Sequence, residues 1–432
     1  MPDITLVVLQ HGLWGKSSHM GYIERSLREK LQEESIVVLN SKVNEGKYTY
    51  DGVDLCGQRL ADKIHSEVQE LSKKNKSVKK LCMIGYSLGG LIARYAIGLL
   101  DQEGFFNHVK PGFFVTFATP HLGVRRPENS LFSRVFNFFS GKLVSRTGEQ
   151  LQLIDRFEDD IPLLVILASP NRPYYQALGK FDIIRTYANV KNDRTVPYWT
   201  AALMTTEYFR NLENVDLTID QEYPSIITGC DIVDKSKKAR HRRKQPMSTS
   251  IRTALFYVLI PIIFPIFITF ALLYIGIQGM MSRLRVSKAL RSALLPVVSG
   301  SASPSLAHSV TSSSNTSMDH DHRQPATLLF GTLDAMNMVS NIEVTPEHKS
   351  TRLLGNWCNV IPSDSMKKQS TQYIFDSHTV DIQKNLSKLP WQTVLVCLHS
   401  FNAHGSIVCR QGIHTTSDGK AVIRHFLDTV SM

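Results

Sequence analysis

Residues 81–100 read LCMIGYSLGGLIARYAIGLL, in which an apolar run leads into a Gly-x-Ser-x-Gly turn at 85–89 and then into an apolar pattern with helical spacing. A buried strand, a tight turn and a helix in this order form a nucleophile elbow, with Ser87 as the candidate nucleophile. Because a serine hydroxyl is a weak nucleophile, it must be held where a base can reach it. Gly85 and Gly89 are expected to give the turn the necessary clearance. The five-residue pattern also arises by chance, but its position between strand and helix favours catalysis.

A second loop with catalytic character follows the first predicted strand. Residues 5–10 are almost continuously apolar and end in HGLWG at 11–15. Such a glycine-containing loop brings backbone N–H groups close to the alkoxide that develops during acyl transfer. We assign the backbone amides of Leu13 and Leu88 to this oxyanion hole. His11 is expected to brace the loop by hydrogen bonding rather than to transfer protons.

The acid of a Ser-Asp-His triad should lie between the nucleophile and the base in the chain. Residues 181–189 predict a strand, and the loop at 190–197 leaves its C-terminal end, the edge where open α/β sheets carry functional loops. Asp193 in this loop is the candidate acid. The alternative interpretation is a turn-stabilising Asx residue, because Asn and Asp favour such loops.

The base is predicted in the last part of the chain. Residues 391–398 predict another strand, and the loop SFNAHG follows at 400–405. His404 in this loop is the candidate base. Three other histidines compete with it: His399, which we place in the register of the strand, and His414 and His425, which follow after the loop has closed.

Six motifs together give the chain a specific family resemblance. They are HGLWG at 11–15, GYSLGG at 85–90, TPHLG at 119–123, TGEQL at 147–151, NDRTVP at 192–197 and NAHG at 402–405. The chain thereby resembles the fungal putative serine esterase family of α/β-hydrolases. This resemblance implies a serine hydrolase of lipid esters, with Ser87, Asp193 and His404 at its catalytic positions and no metal or organic cofactor. It covers both ends of the chain but not residues 299–326.

The chain of 432 residues is predicted to hold one hydrolase core with an insertion, because the candidate triad runs from residue 87 to residue 404. We place the N-terminal part of the core at 1–230, a membrane hairpin at 231–298, a flexible Ser/Thr-rich linker at 299–326 and the C-terminal part of the core at 327–432. The predicted fold class is therefore an α/β-hydrolase with a mostly parallel central sheet, interrupted by a membrane-embedded insertion.

The six cysteines lack metal-ligand spacing, which predicts buried free thiols and a reducing compartment. The first strand begins at once without a basic region or a cleavage site, so we expect no signal peptide. The cysteines are Cys56, Cys82, Cys230, Cys358, Cys397 and Cys409.

Residues 254–277 contain no charged side chain and are long enough to cross a hydrocarbon core of roughly 30 Å. A single crossing, however, would put Ser87 and His404 on opposite sides of the bilayer. Pro261 and Pro265 interrupt the run, and basic clusters flank it on both sides, so a hairpin that enters and leaves one face is favoured. A spanning helix and a buried core helix are the alternatives. The basic clusters are the run 235–244 and Arg283, Arg285, Lys288 and Arg291.

The net charge of +11 fits anionic lipid head groups, because much of the excess flanks the hydrophobic run. Without aromatic interleaving, the run at 235–244 does not predict a nucleic-acid partner. The Ser/Thr-rich segment 299–326 cannot bury enough apolar surface to order itself, so the DHDH tract at 319–322 is interpreted as solvated rather than metal-binding. Residues 131–139, rich in Phe, predict either a lid over the site or a helix packed on the sheet.

The sequence therefore predicts a serine hydrolase that releases fatty acids from glycerophospholipids through an acyl-serine intermediate. The expected locations are the lipid droplet and the cytosolic face of the endoplasmic reticulum, because a hairpin suits a lipid monolayer. A monoacylglycerol lipase or acyl-protein thioesterase is the first alternative. A membrane-shaping protein with a vestigial triad is the second.

Overall fold

The computed structural model describes residues 2–30, 35–126, 137, 145–233, 269–270, 273–289, 357–372 and 375–430. Six of its strands form a parallel sheet in the order β10-β5-β4-β3-β1-β2, while β6 pairs with β9 and β7 pairs with β8 in two antiparallel ribbons. The strands are β1 Asp3–Gln10, β2 Ile36–Asn40, β3 Ser77–Tyr86, β4 Lys110–Phe117, β5 Ile183–Asn189, β6 Thr206–Glu207, β7 Val215–Ile219, β8 Ile227–Ile232, β9 Thr371–Gln372 and β10 Trp391–Val396.

Helices cover both faces of the large sheet. The side chains of β1 alternate between them, because successive residues of a strand point to opposite faces. Leu6 and Val8 join the core with helices α2 and α3, whereas Val7 and Leu9 join the core with α1 and α12. The helices are α1 Gly21–Lys30, α2 Val53–Lys73, α3 Leu88–Gln102, α4 Ser145–Leu151, α5 Leu163–Ala168, α6 Pro173–Gly179, α7 Tyr198–Ala201, α8 at 273–289, α9 Asp364–Gln369, α10 Ser377–Leu386, α11 Ala403–Ser406 and α12 Ser417–Thr429.

The last strand in the chain, β10, pairs with β5, which lies about two hundred residues earlier in the sequence. Each residue from Trp391 to Val396 of β10 pairs in parallel with one from Ile184 to Asn189 of β5. The loops after these two strands therefore leave the same edge of the sheet. This pairing brings the candidate acid and the candidate base together.

The predicted strand at 391–398 is two residues too long. The amide of Cys397 donates to the carbonyl of Ser225 (2.9 Å), and the amide of Leu398 donates to the side-chain oxygen of Asn189 (3.0 Å). Because neither amide bonds to the β5 backbone, the ladder ends at Val396. His399 thus lies in the loop and not in the register of the strand.

Most of the predicted insertion lies outside the described residues. This holds for the basic run 235–244, for Pro261 and Pro265, and for the linker 299–326 with its DHDH tract. Of the hydrophobic run 254–277, only 269–270 and 273–277 are described. Within the parts of the chain that the structure describes, no helix combines the length and the hydropathy that crossing a membrane requires.

Two fully buried histidines make the stability of the fold sensitive to acid. Burial lowers the pKa of His425 to about 3, and burial beside Arg94 lowers the pKa of His121 well below its ordinary value. Below pH 6.5 the unfolded chain therefore binds protons that the folded chain does not, so stability falls with pH. From pH 7 to pH 5, each histidine should remove about 2 kcal/mol from the free energy of unfolding.

Urea unfolding of the wild type and of His425→Phe at both pH values checks this expectation. The Phe variant retains the aromatic contacts with Tyr223 and Trp357, whose rings lie 4.9 and 4.6 Å from the imidazole. It should lose about 2 kcal/mol less than the wild type on acidification. An equal acid-induced loss in both proteins would contradict the assignment of this histidine.

Candidate active site

Ser87 lies at the sharp turn between β3 and α3. Its backbone has φ 54° and ψ −128°, a conformation that L-residues rarely adopt. The turn is held from both sides, because the Ser87 amide donates to the carbonyl of Phe117 (2.9 Å) and its carbonyl accepts from the Thr119 hydroxyl (2.9 Å). This strained, fixed turn is the geometry of a nucleophile elbow.

The glycines of the elbow allow backbones to touch. A Cβ on Gly89 would lie 2.2 Å from the carbonyl oxygen of Gln10, and one on Gly85 would lie 2.4 Å from the Cα of Gly90. A Cβ on Gly12 would lie 2.6 Å from the Cβ of Ser87. The glycine spacing is therefore needed to pack the elbow against the loop after β1, as well as to clear space around the serine.

The structure brings the three candidate triad residues together. The Nε2 of His404 lies 3.0 Å from the Oγ of Ser87, and its Nδ1 lies 2.9 Å from the Oδ2 of Asp193. The side chains of His404 and Asp193 are only 6% and 2% exposed. A carboxylate acceptor fixes the proton on Nδ1 and leaves Nε2 to accept the serine proton. The arrangement can therefore activate the hydroxyl for attack on an ester.

The contacts of Asp193 fit both interpretations, one through each carboxylate oxygen. Oδ1 accepts the backbone amides of Thr195 (3.0 Å) and Val196 (2.9 Å), which is an Asx-type turn. Oδ2 faces His404. The loop is thus folded around the same side chain that orients the imidazole.

His404 is positioned by two residues to which the sequence analysis assigned no role. It lies in the short helix α11, which the Asn402 side chain caps by accepting the amide of Gly405 (3.3 Å). The Tyr86 hydroxyl donates to the carbonyl of His404 (3.0 Å), and the two rings lie 5.1 Å apart. Both residues belong to the quoted motifs NAHG and GYSLGG, so their position in the sequence was a usable signal.

The competing histidines lie in other surroundings. The Nδ1 of His399 lies 3.3 Å from the Oδ2 of Asp418 at the surface. His425 is buried, and its Nδ1 lies 2.9 Å from the hydroxyl of Tyr187. His414 is exposed in a short 3₁₀ turn. Within the described residues, only His404 bonds to the Ser87 hydroxyl.

The loop at 11–15 borders the nucleophile and carries the assigned Leu13 amide. The Nδ1 of His11 lies 3.0 Å from the carbonyl oxygen of Gly12, and burial lowers the pKa of this histidine. A neutral, buried imidazole fits the predicted bracing role. On the other side, Leu88 is the first residue of α3, whose first amides have no partner within the helix.

The oxyanion loop is also held by residues far away in the sequence. The amide of Trp14 donates to the hydroxyl of Thr49 (3.0 Å), and the carbonyl of Thr49 accepts from the hydroxyl of Thr147 (2.6 Å). Thr147 belongs to the TGEQL motif, whose Gln150 accepts the amide of Val53 (2.6 Å). The TGEQL motif therefore holds residues 49–53 in place, and Thr49 in turn holds the oxyanion loop.

The triad opens into a cavity of about 290 Å³. Apolar side chains make up much of its wall, among them Leu13, Trp14, Val124 and Leu151. Arg194 and Arg410 also line it, and none of its described lining residues carries a carboxylate. The cavity can therefore accept an acyl chain together with a negatively charged group.

The predicted lid at 131–139 lies outside the described residues except for Asn137. The amide side chain of Asn137 bonds to the backbone of Arg126 in both directions, at 2.9 and 2.8 Å. Within the described parts of the chain, no cluster of three or more His, Cys, Asp or Glu residues could hold a metal ion. Five of the six cysteines are buried, and Cys358 is partly buried.

Residues 3–205 match the model of the family described as "Putative serine esterase (DUF676)". Two curated relatives are putative lipases. ROG1 of Saccharomyces cerevisiae is 34% identical over 216 residues, which are 49% of this chain and 30% of that protein. C4A8.10 of Schizosaccharomyces pombe is 31% identical over 208 residues, or 46% and 26%. The matched region thus spans less than a third of these relatives, and it confirms the family resemblance.

Matches among solved structures have low sequence identity and low TM-scores. A lipase-esterase related protein from Clostridium acetobutylicum is 14% identical, with a TM-score of 0.27 over 46% of this chain and 79% of that one. Phospholipase PlaB from Legionella pneumophila is 15% identical, with a TM-score of 0.27 over 46% and 42%. The six parallel strands confirm the predicted mostly parallel central sheet, whereas the membrane insertion stays a prediction.

Proposed function

We propose that this protein, whose residues 3–205 match the putative serine esterase family, is a serine hydrolase that releases fatty acids from glycerophospholipids at a lipid surface. The observation that carries the proposal is the hydrogen-bonded Ser87, His404 and Asp193, which open into a largely apolar cavity. An apolar wall removes an acyl chain from water, as ester hydrolysis of a lipid requires.

The reaction follows from the positions of the three side chains. His404 accepts the Ser87 proton through Nε2 while the serine oxygen attacks the ester carbonyl, and Asp193 stabilises the imidazolium. The amides of Leu13 and Leu88 hold the oxyanion. His404 then returns the proton to the leaving alcohol, which leaves an acyl-serine. Water activated by the same histidine releases the fatty acid and restores Ser87.

The cationic part of the cavity supports a phospholipid over a neutral glyceride. The guanidinium of Arg194 lies 4.2 Å from the ring centroid of Phe401, and no described residue forms an ion pair with it. Guanidinium groups bind phosphate through paired hydrogen bonds. Since Arg194 follows the triad acid directly and lines the cavity, it can contact the phosphodiester of a phospholipid whose ester reaches Ser87.

Replacing Arg194 by Gln should therefore change the choice of substrate. We expect kcat/KM for phosphatidylcholine to fall about tenfold or more through loss of a charge-assisted hydrogen bond, with monoacylglycerol hydrolysis nearly unchanged. Fatty-acid release from both substrates measures this effect. Lys191→Gln is the matched control, because Lys191 is a cation of the same loop that does not line the cavity. Equal losses on both substrates would argue against phosphate recognition.

We propose that residues 254–277 enter a lipid monolayer or membrane and that their basic flanks contact anionic head groups. The absence of charged residues in the run and the cations on both sides support this partner. A hairpin would keep both parts of the catalytic core on one side. The corresponding locations are the lipid droplet and the cytosolic face of the endoplasmic reticulum.

The test is fatty-acid release by the purified full chain and by Ser87→Ala. The substrates are phospholipid vesicles, oil-core emulsions of neutral glycerides, monoacylglycerol and an acyl thioester. Release from phospholipid by the wild type alone would support the proposal. Activity confined to monoacylglycerol or thioester would replace it with that alternative. Inactivity on every substrate would favour a membrane-shaping protein.

A further inference from the structure

Helix α8 packs on the hydrolase with the face that is poorer in large apolar side chains. Its buried positions Gly279, Ser282 and Val286 recur every three or four residues and therefore lie on one face. The hydroxyl of Ser145 donates to the carbonyl of Gly279 (3.2 Å), which fixes this face against α4. A helix that serves only to stabilise a soluble core buries its more apolar face instead.

The opposite face presents large apolar side chains to the surroundings. Leu273, Ile277, Met280 and Leu284 follow the same three-to-four-residue spacing, and they are 60%, 47%, 59% and 59% exposed. We call these four residues the apolar stripe. Exposed contiguous apolar surface of this kind marks an interaction site.

The charges of the helix indicate what covers the stripe. Residues 273–289 contain no acidic residue and three cations. Arg285 is bound to the core, whereas Arg283, which pairs with Glu149 (3.1 Å), and Lys288 are exposed. A helix with an apolar face and cations at one end fits the boundary between anionic head groups and acyl chains. The stripe also shares Leu273 and Ile277 with the uncharged run 254–277, which is the segment predicted to enter lipid.

A buried carboxylate attaches this helix to the catalytic core. Asp51 has no exposed side-chain surface, and its Oδ1 accepts from the Ser282 hydroxyl (2.6 Å) and from Arg285 (2.9 Å). Its Oδ2 pairs with Arg59 (2.7 Å). The guanidinium of Arg285 also donates to the carbonyl of Lys47 (3.1 Å). We call Asp51, Ser282 and Arg285 the clamp.

The clamp lies beside the oxyanion loop. Two residues before Asp51, Thr49 accepts the amide of Trp14 (3.0 Å). The rings of Tyr50 and Trp14 lie 6.0 Å apart, and Trp14 lines the catalytic cavity. The helix that carries the apolar stripe is therefore attached through one short segment to the wall of the active site.

We infer that the apolar stripe seats the hydrolase on an anionic lipid surface and that the clamp holds the cavity at that surface. The inference rests on the proposed action at a lipid surface, and it assigns separate roles to two sets of residues. The stripe provides attachment. The clamp acts by positioning, so that a lipid ester in the same surface reaches Ser87.

The first experiment removes the stripe in the full chain by Ile277→Ser, Met280→Ser and Leu284→Ser together. Flotation with vesicles of phosphatidylcholine and phosphatidylserine should give at least about tenfold weaker binding, since three exposed side chains no longer enter lipid. Hydrolysis of a soluble short-chain ester should stay within about twofold, because exposed substitutions leave the fold intact.

The matched control replaces three exposed apolar side chains elsewhere, by Ile154→Ser, Ile361→Ser and Val380→Ser. This protein should bind vesicles like the wild type. Unchanged binding of the stripe variant, or an equal loss in the control, would overturn the inference. Flotation needs no turnover, so this result is independent of whether phospholipid is the substrate.

The second experiment opens the clamp by Ser282→Ala with Arg285→Gln, which leaves Asp51 paired with Arg59. Vesicle binding should be retained, because Arg285 is bound to Asp51 on the core and not to the lipid surface. Soluble-ester hydrolysis should also be retained, while hydrolysis of vesicle phospholipid falls about tenfold because the cavity is no longer held at the surface. Arg285→Lys, which keeps the charge, should restore much of the rate. An equal fall on the soluble ester would overturn the positioning role. Absence of phospholipid hydrolysis in the wild type would refute the proposed substrate instead.

Discussion

Replacing Ser87 by Ala should lower ester hydrolysis roughly 10⁵-fold or more, whichever ester the protein cleaves. The expected size follows from the loss of the atom that forms the acyl-enzyme. His404 would remain bonded to Asp193, and the oxyanion loop would remain in place, but no side chain would attack the carbonyl. Initial rates with a soluble ester and with phospholipid vesicles measure the effect on both substrate types.

The control for this variant must separate catalysis from folding. Ser169→Ala also removes one serine hydroxyl, which here donates only to the carbonyl of Val165 in α5. Its hydrolytic rate should match that of the wild type. The thermal unfolding midpoint of Ser87→Ala should also stay close to that of the wild type. Substantial residual hydrolysis by correctly folded Ser87→Ala would exclude Ser87 as the nucleophile.

Replacing Asp193 by Asn should lower kcat about 10⁴-fold, because an amide that donates to Nδ1 leaves the imidazole in the wrong tautomer. The variant separates the two roles of this side chain. The amide oxygen of Asn can still accept the backbone amides of Thr195 and Val196, so the loop should keep its fold. Lost activity with an unchanged unfolding midpoint therefore reports on His404 alone.

Asp418→Asn is the matched control, because Asp418 is the carboxylate that faces the competing histidine His399. Its kcat should stay within about threefold of the wild type, as surface ion pairs contribute little. If the Asp418 variant were the more impaired of the two, the base would have to be reassigned to His399.

The juxtaposition of the candidate nucleophile, acid and base was predictable because each lies in a short motif directly after a strand. The four strands used in that argument appear at Asp3–Gln10, Ser77–Tyr86, Ile183–Asn189 and Trp391–Val396. Parallel strands all end at one edge, so the loops that follow them converge. The order Ser, Asp, His along the chain then identified the candidate for each role.

The supporting contacts were not predictable, because they join residues distant in sequence. The Thr49 hydroxyl that holds Trp14 is 35 residues away from it, and Thr147 is 98 residues away from Thr49. No local pattern marks such a pair. The buried Asp51 likewise looks like an ordinary turn residue until Ser282 and Arg285 are placed beside it, 231 and 234 positions later.

The composition of the hydrophobic run could not predict which side chains of helix α8 pack against the protein. Its lack of charge was evident, but composition does not tell which residues of α8 face the protein. Packing determines this, since Gly279 and Ser282 lie against the core while Leu273 and Ile277 do not.

The pairing of β10 with β5 imposes an order on the assembly of the catalytic centre. Ser87 and His404 are separated by 317 positions, and Asp193 lies between them. A ribosome working from the N-terminus therefore exposes the nucleophile and the acid long before the base exists. The uncharged segment 254–277 is synthesised in that interval. The nascent chain thus carries the candidate nucleophile and acid without their base, and the segment predicted to enter lipid is available before the candidate triad can assemble.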